Sequence, residues 1–259
     1  PLDASEGHQF IKLINMGDQV VTNLISGYIP GRITLLCLNL HLTPRPIWMS
    51  RHGESEFNLQ GRIGGDAPLT EAGVVYAQKL ADFMNQLYPP HHQGGSDGLT
   101  VWTSTMLRTG QTVAPMTADR EVIKWGTLSE INAGMMDGLT YEHVAETMPE
   151  EYEARKNNKL KYRYPCGESY EDVFTRVEHV LFEMLRHRTP LLIVGHQAIL
   201  RVLYGYLTGK KPEECPTLYM PLHTVIKLTP KAYGCEEEWH RPLEEAVDPV
   251  VDCKGPTSY

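Results

Sequence analysis

Two short apolar runs of this chain each end abruptly on a histidine. Ile47-Trp48-Met49-Ser50 stops at Arg51-His52-Gly53, and Leu191-Leu192-Ile193-Val194 stops at Gly195-His196. In open α/β sheets, ligands bind outside the carboxyl ends of the strands. An imidazole placed there, with a guanidinium on one side and a glycine admitting a ligand on the other, suits attack on a phosphoryl group. If the two strands are neighbours, His52 and His196 converge at one rim. Taken by itself, His196 also reads as a satisfied core histidine. A zinc site is the first rival for the pair. No carboxylates accompany the histidines at ligand spacing, and Arg51 would repel a cation, so no metal or other cofactor is expected.

The elements around these residues follow from pattern. Continuous apolar runs are the mark of buried parallel strands. Further strands are expected at Leu99–Thr103, ending at Ser104, at Glu121–Trp125 and at His223–Leu228. Between them come helices. Thr70 can cap one whose apolar stripe is Val74, Ala77, Leu80, Ala81, Met84 and Leu87. Thr105–Ala114 makes a short one carrying Arg108, and Glu130 falls in a loop after the Glu121–Trp125 strand. Thr140 caps a helix through Met148. Ser169 caps another, with Asp172 at the capping-box position and Val173, Val177, Val180, Leu181, Met184 and Leu185 as its stripe. Gln197–Leu207 is helical, with Gly209 suited to its stop. This alternation from Pro46 onward predicts an α/β domain with parallel strands. Before it, Phe10–Ile14 and Ile33–Leu40 read as two strands, and Pro44 and Pro46 mark a boundary. The chain is thus divided into residues 1–45, a main domain over 46–235, and an acidic then irregular tail over 236–259. Residues 89–98, with His91-His92, read as a surface loop.

Composition narrows the function classes. The 259 residues are 41% hydrophobic and 22% charged, with a formal net charge of -8. An acidic balance argues against general nucleic-acid binding, although a local basic pocket can still take an anionic substrate. The five cysteines are scattered without a C-x-x-C pair, so a reducing, cytoplasmic compartment is expected rather than a disulfide framework. No apolar run approaches the roughly 18 residues that span a bilayer, so no membrane partner is expected.

Several motifs together resemble the histidine phosphatase superfamily, the phosphoglycerate-mutase-like fold. They are Arg51-His52-Gly53-Glu54 with Asn58, Ser104-x-x-x-Arg108-x-x-x-Thr112, Glu130, and Gly195-His196. Longer stretches resemble one branch, the bisphosphatase half of 6-phosphofructo-2-kinase/fructose-2,6-bisphosphatase. These include Gly61-Arg62-Ile63-Gly64-Gly65-Asp66, Tyr162-Arg163-Tyr164-Pro165-x-Gly167-Glu168-Ser169-Tyr170-Glu171-Asp172, His196-Gln197-Ala198 and Pro221-Leu222-His223-Thr224-Val225.

The resemblance implies a three-layer fold, a mostly parallel central sheet with helices on both faces. It implies hydrolysis of the 2-phosphate of fructose 2,6-bisphosphate through a phosphohistidine on His52. Arg51, Arg108 and a protonated His196 would surround the phosphoryl oxygens, Asn58 and the Gly64 N–H would add donors, and Glu130 would serve as acid and then base. Tyr141, Arg155, Lys159, Tyr170, Gln197 and Arg201 would hold the sugar and its second phosphate. Arg155 and Lys159 are one helical turn apart and can face one anion, although the same stretch also reads as a solvated charged face. Residues 8–46 resemble the end of a kinase domain, which a longer parent protein would carry. No kinase activity is expected of this chain, because Gly205-Tyr206-Leu207-Thr208-Gly209-Lys210-Lys211 is one residue short of a P-loop and lacks its Ser/Thr. The apolar strands of that remnant would pack on the main domain or on a second copy in a homodimer. Two alternatives remain: a broader sugar-phosphate phosphatase or phosphoglycerate mutase on the same fold, and a non-enzymatic regulatory module.

Overall fold

The computed structural model describes residues 7–14, 19–39, 45–89, 98–118, 120–231 and 234–243. The sheet forms where the apolar runs lie. β3 (Ile47–Arg51), β4 (Thr100–Ser104), β5 (Val122–Trp125) and β6 (Leu191–Gly195) are mutually parallel, and β7 (Val225–Lys231) and β8 (Gly234–His240) join antiparallel in the order β5-β4-β6-β3-β7-β8. Alternation of side chains along a strand sends successive residues to opposite faces. Ile47, Met49, Leu191 and Ile193 therefore meet α7 (Tyr170–Arg186) and α8 (Gln197–Leu207) on one face. Trp48, Leu192 and Val194 meet α3 (Glu71–Leu87) and α4 (Leu107–Val113) on the other. The result is three layers. Four-strand parallel order with both faces covered explains why β6 is buried at every residue.

The capping residues act as their types predict. Thr70 Oγ1 accepts the Gly73 N–H at 3.1 Å, Thr140 Oγ1 accepts the His143 N–H at 3.2 Å to open α5 (Tyr141–Thr147), and Ser169 and Asp172 form a reciprocal capping box. The buried stripe of α3 is Gly73, Tyr76, Ala77, Leu80, Ala81 and Met84. Val74 and Leu87, expected in it, are exposed, because the stripe is centred on the Gly73–Ala77–Leu80–Met84 line and both lie off it. A third, smaller cluster of Ile63, Ala133, Met136, Val144 and Tyr164 ties the segment after β5, including α5, to the loop after β3.

Three expectations are corrected. The run Ile33–Leu40 is not a strand: α1 spans Tyr28–Asn39, and the partner of β1 (Phe10–Ile14) is β2 (Gln19–Asn23), antiparallel in a separate two-stranded sheet. Pro30 sits in the first turn of α1, where its missing N–H would have had no partner. The expected domain end at 235 falls inside β8, which pairs with β7 through His240. His223–Leu228 is likewise not the last strand; β7 starts at Val225 because His223 adopts φ 56, outside extended geometry. α1 lies against α7, where Arg32 pairs with Glu178 and stacks 4.9 Å from the Phe182 ring centroid. The His91-His92 loop and the end of the tail lie outside the described residues. Among the described residues no helix is long and apolar enough to cross a membrane.

Candidate active site

The two histidines sit where the sheet places them. Arg51 and Gly195 are register partners on neighbouring parallel strands, and pairing runs one step further, with the His52 N–H donating to the Gly195 carbonyl at 3.0 Å. The imidazole centroids are 5.2 Å apart. Both rings are buried. Gly53 is required because the turn after β3 touches the start of α3: a Cβ there would fall 2.5 Å from the Gly73 carbonyl oxygen. The turn is held by the Gly53 N–H donating to Thr112 Oγ1 at 2.9 Å and by the Thr70 hydroxyl donating to Glu54 Oε1 at 2.9 Å.

His52 Nδ1 lies 2.7 Å from the Gly53 carbonyl, an acceptor that places the proton on Nδ1 and leaves Nε2 with its lone pair. Arg108 donates from Nε to that Nε2 at 3.1 Å and from Nη1 to the Gly65 carbonyl at 2.6 Å. Burial first, then Arg108 and Arg51, drives the His52 pKa well below the imidazole range, so the ring is neutral. Arg51 donates from Nη1 to the Met220 carbonyl at 2.9 Å, while its buried Nε has no partner among the described residues. Burial lowers the Arg51 pKa to about 10, with Glu130 opposing and Arg201 and Arg108 adding to it.

His196 Nε2 lies 2.8 Å from Ser104 Oγ at the end of β4, and its buried Nδ1 has no partner among the described residues. Burial, then Arg108, His52 and Arg51, push its pKa well below the ordinary value, and negative charge brought nearby, such as the phosphate expected there, opposes that shift.

Glu130 lies in an irregular segment between two short 3₁₀ turns, Gly126–Leu128 and Gly134–Met136. Its Oε1 accepts from its neighbour Ile131 N–H at 2.9 Å and from the Ala198 N–H at 3.1 Å, in the first turn of α8 beside His196. Asn58 closes a capping box on Ser55 through Oδ1, which accepts from the Ser55 N–H at 3.1 Å and hydroxyl at 2.9 Å. Gly64 has φ 65, and a side chain there would collide with the Asp137 carboxylate, which accepts the Gly65 N–H at 2.7 Å.

The second basic group also assembles, though not as one helical turn. α6 (Pro149–Asn157) ends before Lys159, so Arg155 and Lys159 are not on a common helix face. Arg155 instead reaches two phenols, donating to the Tyr164 hydroxyl at 2.7 Å and the Tyr141 hydroxyl at 2.8 Å. Arg201 donates to the Leu218 carbonyl at 2.6 Å and to the Tyr170 hydroxyl at 3.3 Å. Lys159 stands within the field of Arg201 and Arg155; burial, then those charges, lowers its pKa to about 7. Gln197 is the first residue of α8. The field of Glu130 reaches Arg51, Arg108 and Lys159, and that of Arg201 reaches both Arg51 and Lys159.

Two residues of the site went unassigned in the sequence. His223 accepts the Glu54 N–H at Nε2 (3.2 Å), packs tilted against Tyr76 with ring centroids 4.8 Å apart, and adds to the field that depresses the His52 pKa. Its position in a motif next to β7 was the only signal. Arg176, on α7, holds the backbone around Glu130 and is taken up below. No three His, Cys, Asp or Glu side chains among the described residues are close enough to share a metal ion. The near-match to a P-loop begins inside α8, at Gly205–Leu207, not in a loop between strand and helix.

The chain matches the histidine phosphatase superfamily (branch 1) over residues 47–241. It is 43% identical over 236 residues to the fructose-2,6-bisphosphatase of Saccharomyces cerevisiae, covering 90% of this chain and 50% of that protein. It is 43% identical over 240 residues to human 6-phosphofructo-2-kinase/fructose-2,6-bisphosphatase 1, covering 92% of this chain and 49% of that one. An Arabidopsis thaliana 6-phosphofructo-2-kinase/fructose-2,6-bisphosphatase is 45% identical over 243 residues, 92% of this chain and 32% of its own. The chain thus spans a third to a half of the length of these relatives. Among solved structures, the α-ribazole phosphatase of Shigella flexneri superposes with a TM-score of 0.62 at 23% identity, covering 73% of this chain and 93% of that one. A mycobacterial glucosyl-3-phosphoglycerate phosphatase gives 0.59 at 22%, covering 71% and 90%. The family match takes in all six strands of the large sheet and both histidine-bearing strand ends, so this chain belongs to the histidine phosphatase superfamily.

Proposed function

We propose that this chain removes the 2-phosphate of fructose 2,6-bisphosphate, giving fructose 6-phosphate and phosphate. The observation that carries the reading is that the field of one carboxylate, Glu130, reaches cations of two kinds. Arg51 and Arg108 accompany the two histidines, while Arg155, Lys159 and Arg201 accompany tyrosines. A substrate with two phosphates joined by a small sugar fits two such groups of cations within reach of one acid. The names of the yeast, human and plant relatives support the same choice.

In this reading neutral His52 attacks phosphorus through Nε2, forming an N–P bond as the bond to the sugar C2 oxygen breaks. Glu130 hands its proton to that oxygen. Arg108 exchanges its hydrogen bond to Nε2 for one to a phosphoryl oxygen, joined by Arg51, His196, the Asn58 amide and the Gly64 N–H. Water then attacks the phosphohistidine, the N–P bond breaks, and Glu130 takes the proton from water. Negative charge arriving on the phosphoryl group is what protonates His196. Tyr141, Arg155, Lys159, Tyr170, Gln197 and Arg201 hold the sugar and the 6-phosphate.

The proposal covers hydrolysis alone. The kinase in the relatives' names belongs to length that this chain does not span, and a longer parent would carry it next to residues 1–45. The setting we assign is cytoplasmic, in keeping with free thiols at Cys37, Cys166, Cys215 and Cys235. Brief incubation with substrate carrying ³²P at the 2-position is the test. Wild type is expected to trap acid-labile label and His52→Ala none. Label that persists in His52→Ala, or none in wild type, removes the mechanism. Faster turnover of other sugar phosphates than of fructose 2,6-bisphosphate would favour the broader phosphatase.

A further inference from the structure

Glu130 is asked to deliver a proton to one oxygen, yet it sits in a segment with neither helix nor strand around it. Something must hold it. The backbone on both sides converges on one side chain from α7, Arg176. Its Nη1 donates to the Thr127 carbonyl at 2.8 Å and the Ser129 carbonyl at 2.9 Å, and its Nη2 donates to the Glu130 carbonyl at 3.4 Å. Nε and Nη2 also form a fork on Glu168, at 2.8 Å to Oε1 and 2.9 Å to Oε2. All five N–H donors of a guanidinium are thereby engaged. Glu168 closes the far side of the segment, accepting the Asn132 N–H on Oε2 at 2.9 Å and donating its own N–H to the Asn132 carbonyl at 2.9 Å. Three carbonyls before and at Glu130, and the peptide after Ile131, are therefore fixed to one ion pair whose two side chains are each 21% exposed.

We propose that Arg176, locked by Glu168, is the positioning residue that holds the Glu130 carboxylate at its point of proton delivery. This rests on the reading of Glu130 as the acid and His52 as the nucleophile. Neither Arg176 nor Glu168 touches the reacting atoms; both act through the backbone of residues 127–132. The pair also connects the acid to the sugar side of the site. Glu168 immediately precedes the capping box that starts α7, whose first residue, Tyr170, accepts a hydrogen bond from Arg201. Lysine cannot substitute for Arg176, having three donors on a point charge where a planar fork with five is used.

A generic stabilising ion pair would lower the rate with every substrate alike. A positioning pair lowers it only where the acid is needed. The rate of the first turnover is to be measured with two substrates. Fructose 2,6-bisphosphate loses an alkoxide that must be protonated; p-nitrophenyl phosphate loses a phenolate that leaves without help. Arg176→Lys is expected to slow release from the sugar bisphosphate about 10- to 100-fold, the scale of a misplaced catalytic group, and release of p-nitrophenol by less than about 2-fold. Glu168→Gln, which keeps shape and removes the charge, should do the same if Arg176→Lys folds poorly. Equal slowing with both substrates, or none with either, overturns the inference. Glu130→Gln is the reference. If it is selective for the sugar bisphosphate while the Arg176 and Glu168 variants are not, the clamp fails alone. If Glu130→Gln is not selective, the reading of Glu130 as the acid fails and the clamp with it.

Discussion

At the scale of single residues, the site stores unfavourable charge. Lys159 is crowded by Arg155 and Arg201, and burial first, then those neighbours, lowers its pKa to about 7 from the ordinary 10.5. Between those two values the unfolded chain holds a proton that the folded chain has released, so stability rises with pH across that window. Below it the cost is present in full. Lys159→Met is therefore expected to raise the melting temperature in phosphate-free buffer clearly near pH 6 and to leave only a small remainder of that gain near about pH 10. The same gain at both pH values would show that packing, not charge, is what the site resists. The cost has a functional counterpart under the proposed reaction: an anionic second phosphate restores the proton, so substrate binding near neutral pH should draw protons from the buffer. Calorimetry in buffers of different ionisation enthalpy would measure this, and heats independent of the buffer would count against it.

Among the elements, backbone contact rather than side-chain packing sets the nucleophile's place. Gly53 and Gly73 bring the turn after β3 against the start of α3, with no room for a Cβ on either. Gly53→Ala is expected to cost roughly 1–3 kcal/mol in denaturant melts, as overpacking does, and to lower turnover because the displaced turn carries His52. An unchanged melt would show that α3 yields freely. The elements nearest the chemistry were the most legible in the sequence. β3 and β6 are continuous apolar runs cut by histidine, and α3, α5 and α7 open on the capping residues their types announce. What was not legible depends on tertiary partners. Ile33–Asn39 is an apolar run that either state could use, and it is helical as part of α1, which meets α7 through Arg32 at Phe182. β8 is acidic and half exposed, and only β7 beside it makes Gly234–His240 a strand. Lys159 was placed with Arg155 by a spacing that the end of α6 interrupts. The roles of His223 and Arg176 lie in contacts with Glu54 and with carbonyls 46 to 49 residues away, which no local pattern encodes.

For the molecule as a whole, we infer that the main body begins near Arg45. Its buried guanidinium donates to the Met184 carbonyl at 3.0 Å and the Leu185 carbonyl at 2.5 Å, closing the last turn of α7. What precedes it is different in kind: α1 leaves Tyr28, Ile29, Ile33 and Leu38 exposed, and β1 and β2 form a sheet of their own. A chain starting at Pro44 is expected to keep its hydrolytic activity and to melt within about 3 °C of the full chain. A large loss would show that α1 is part of the main body's core.

The register of Arg51 against Gly195 also sets a spacing. Neighbouring strands repeat at about 4.8 Å, a spacing set by backbone hydrogen bonds and independent of sequence. The two imidazoles, one on each strand end, inherit that interval, with centroids 5.2 Å apart. The rotamers of the two histidines adjust the distance about that backbone spacing. The groups around that pair are carried instead on the connections beyond the strand ends, which the strand repeat does not fix.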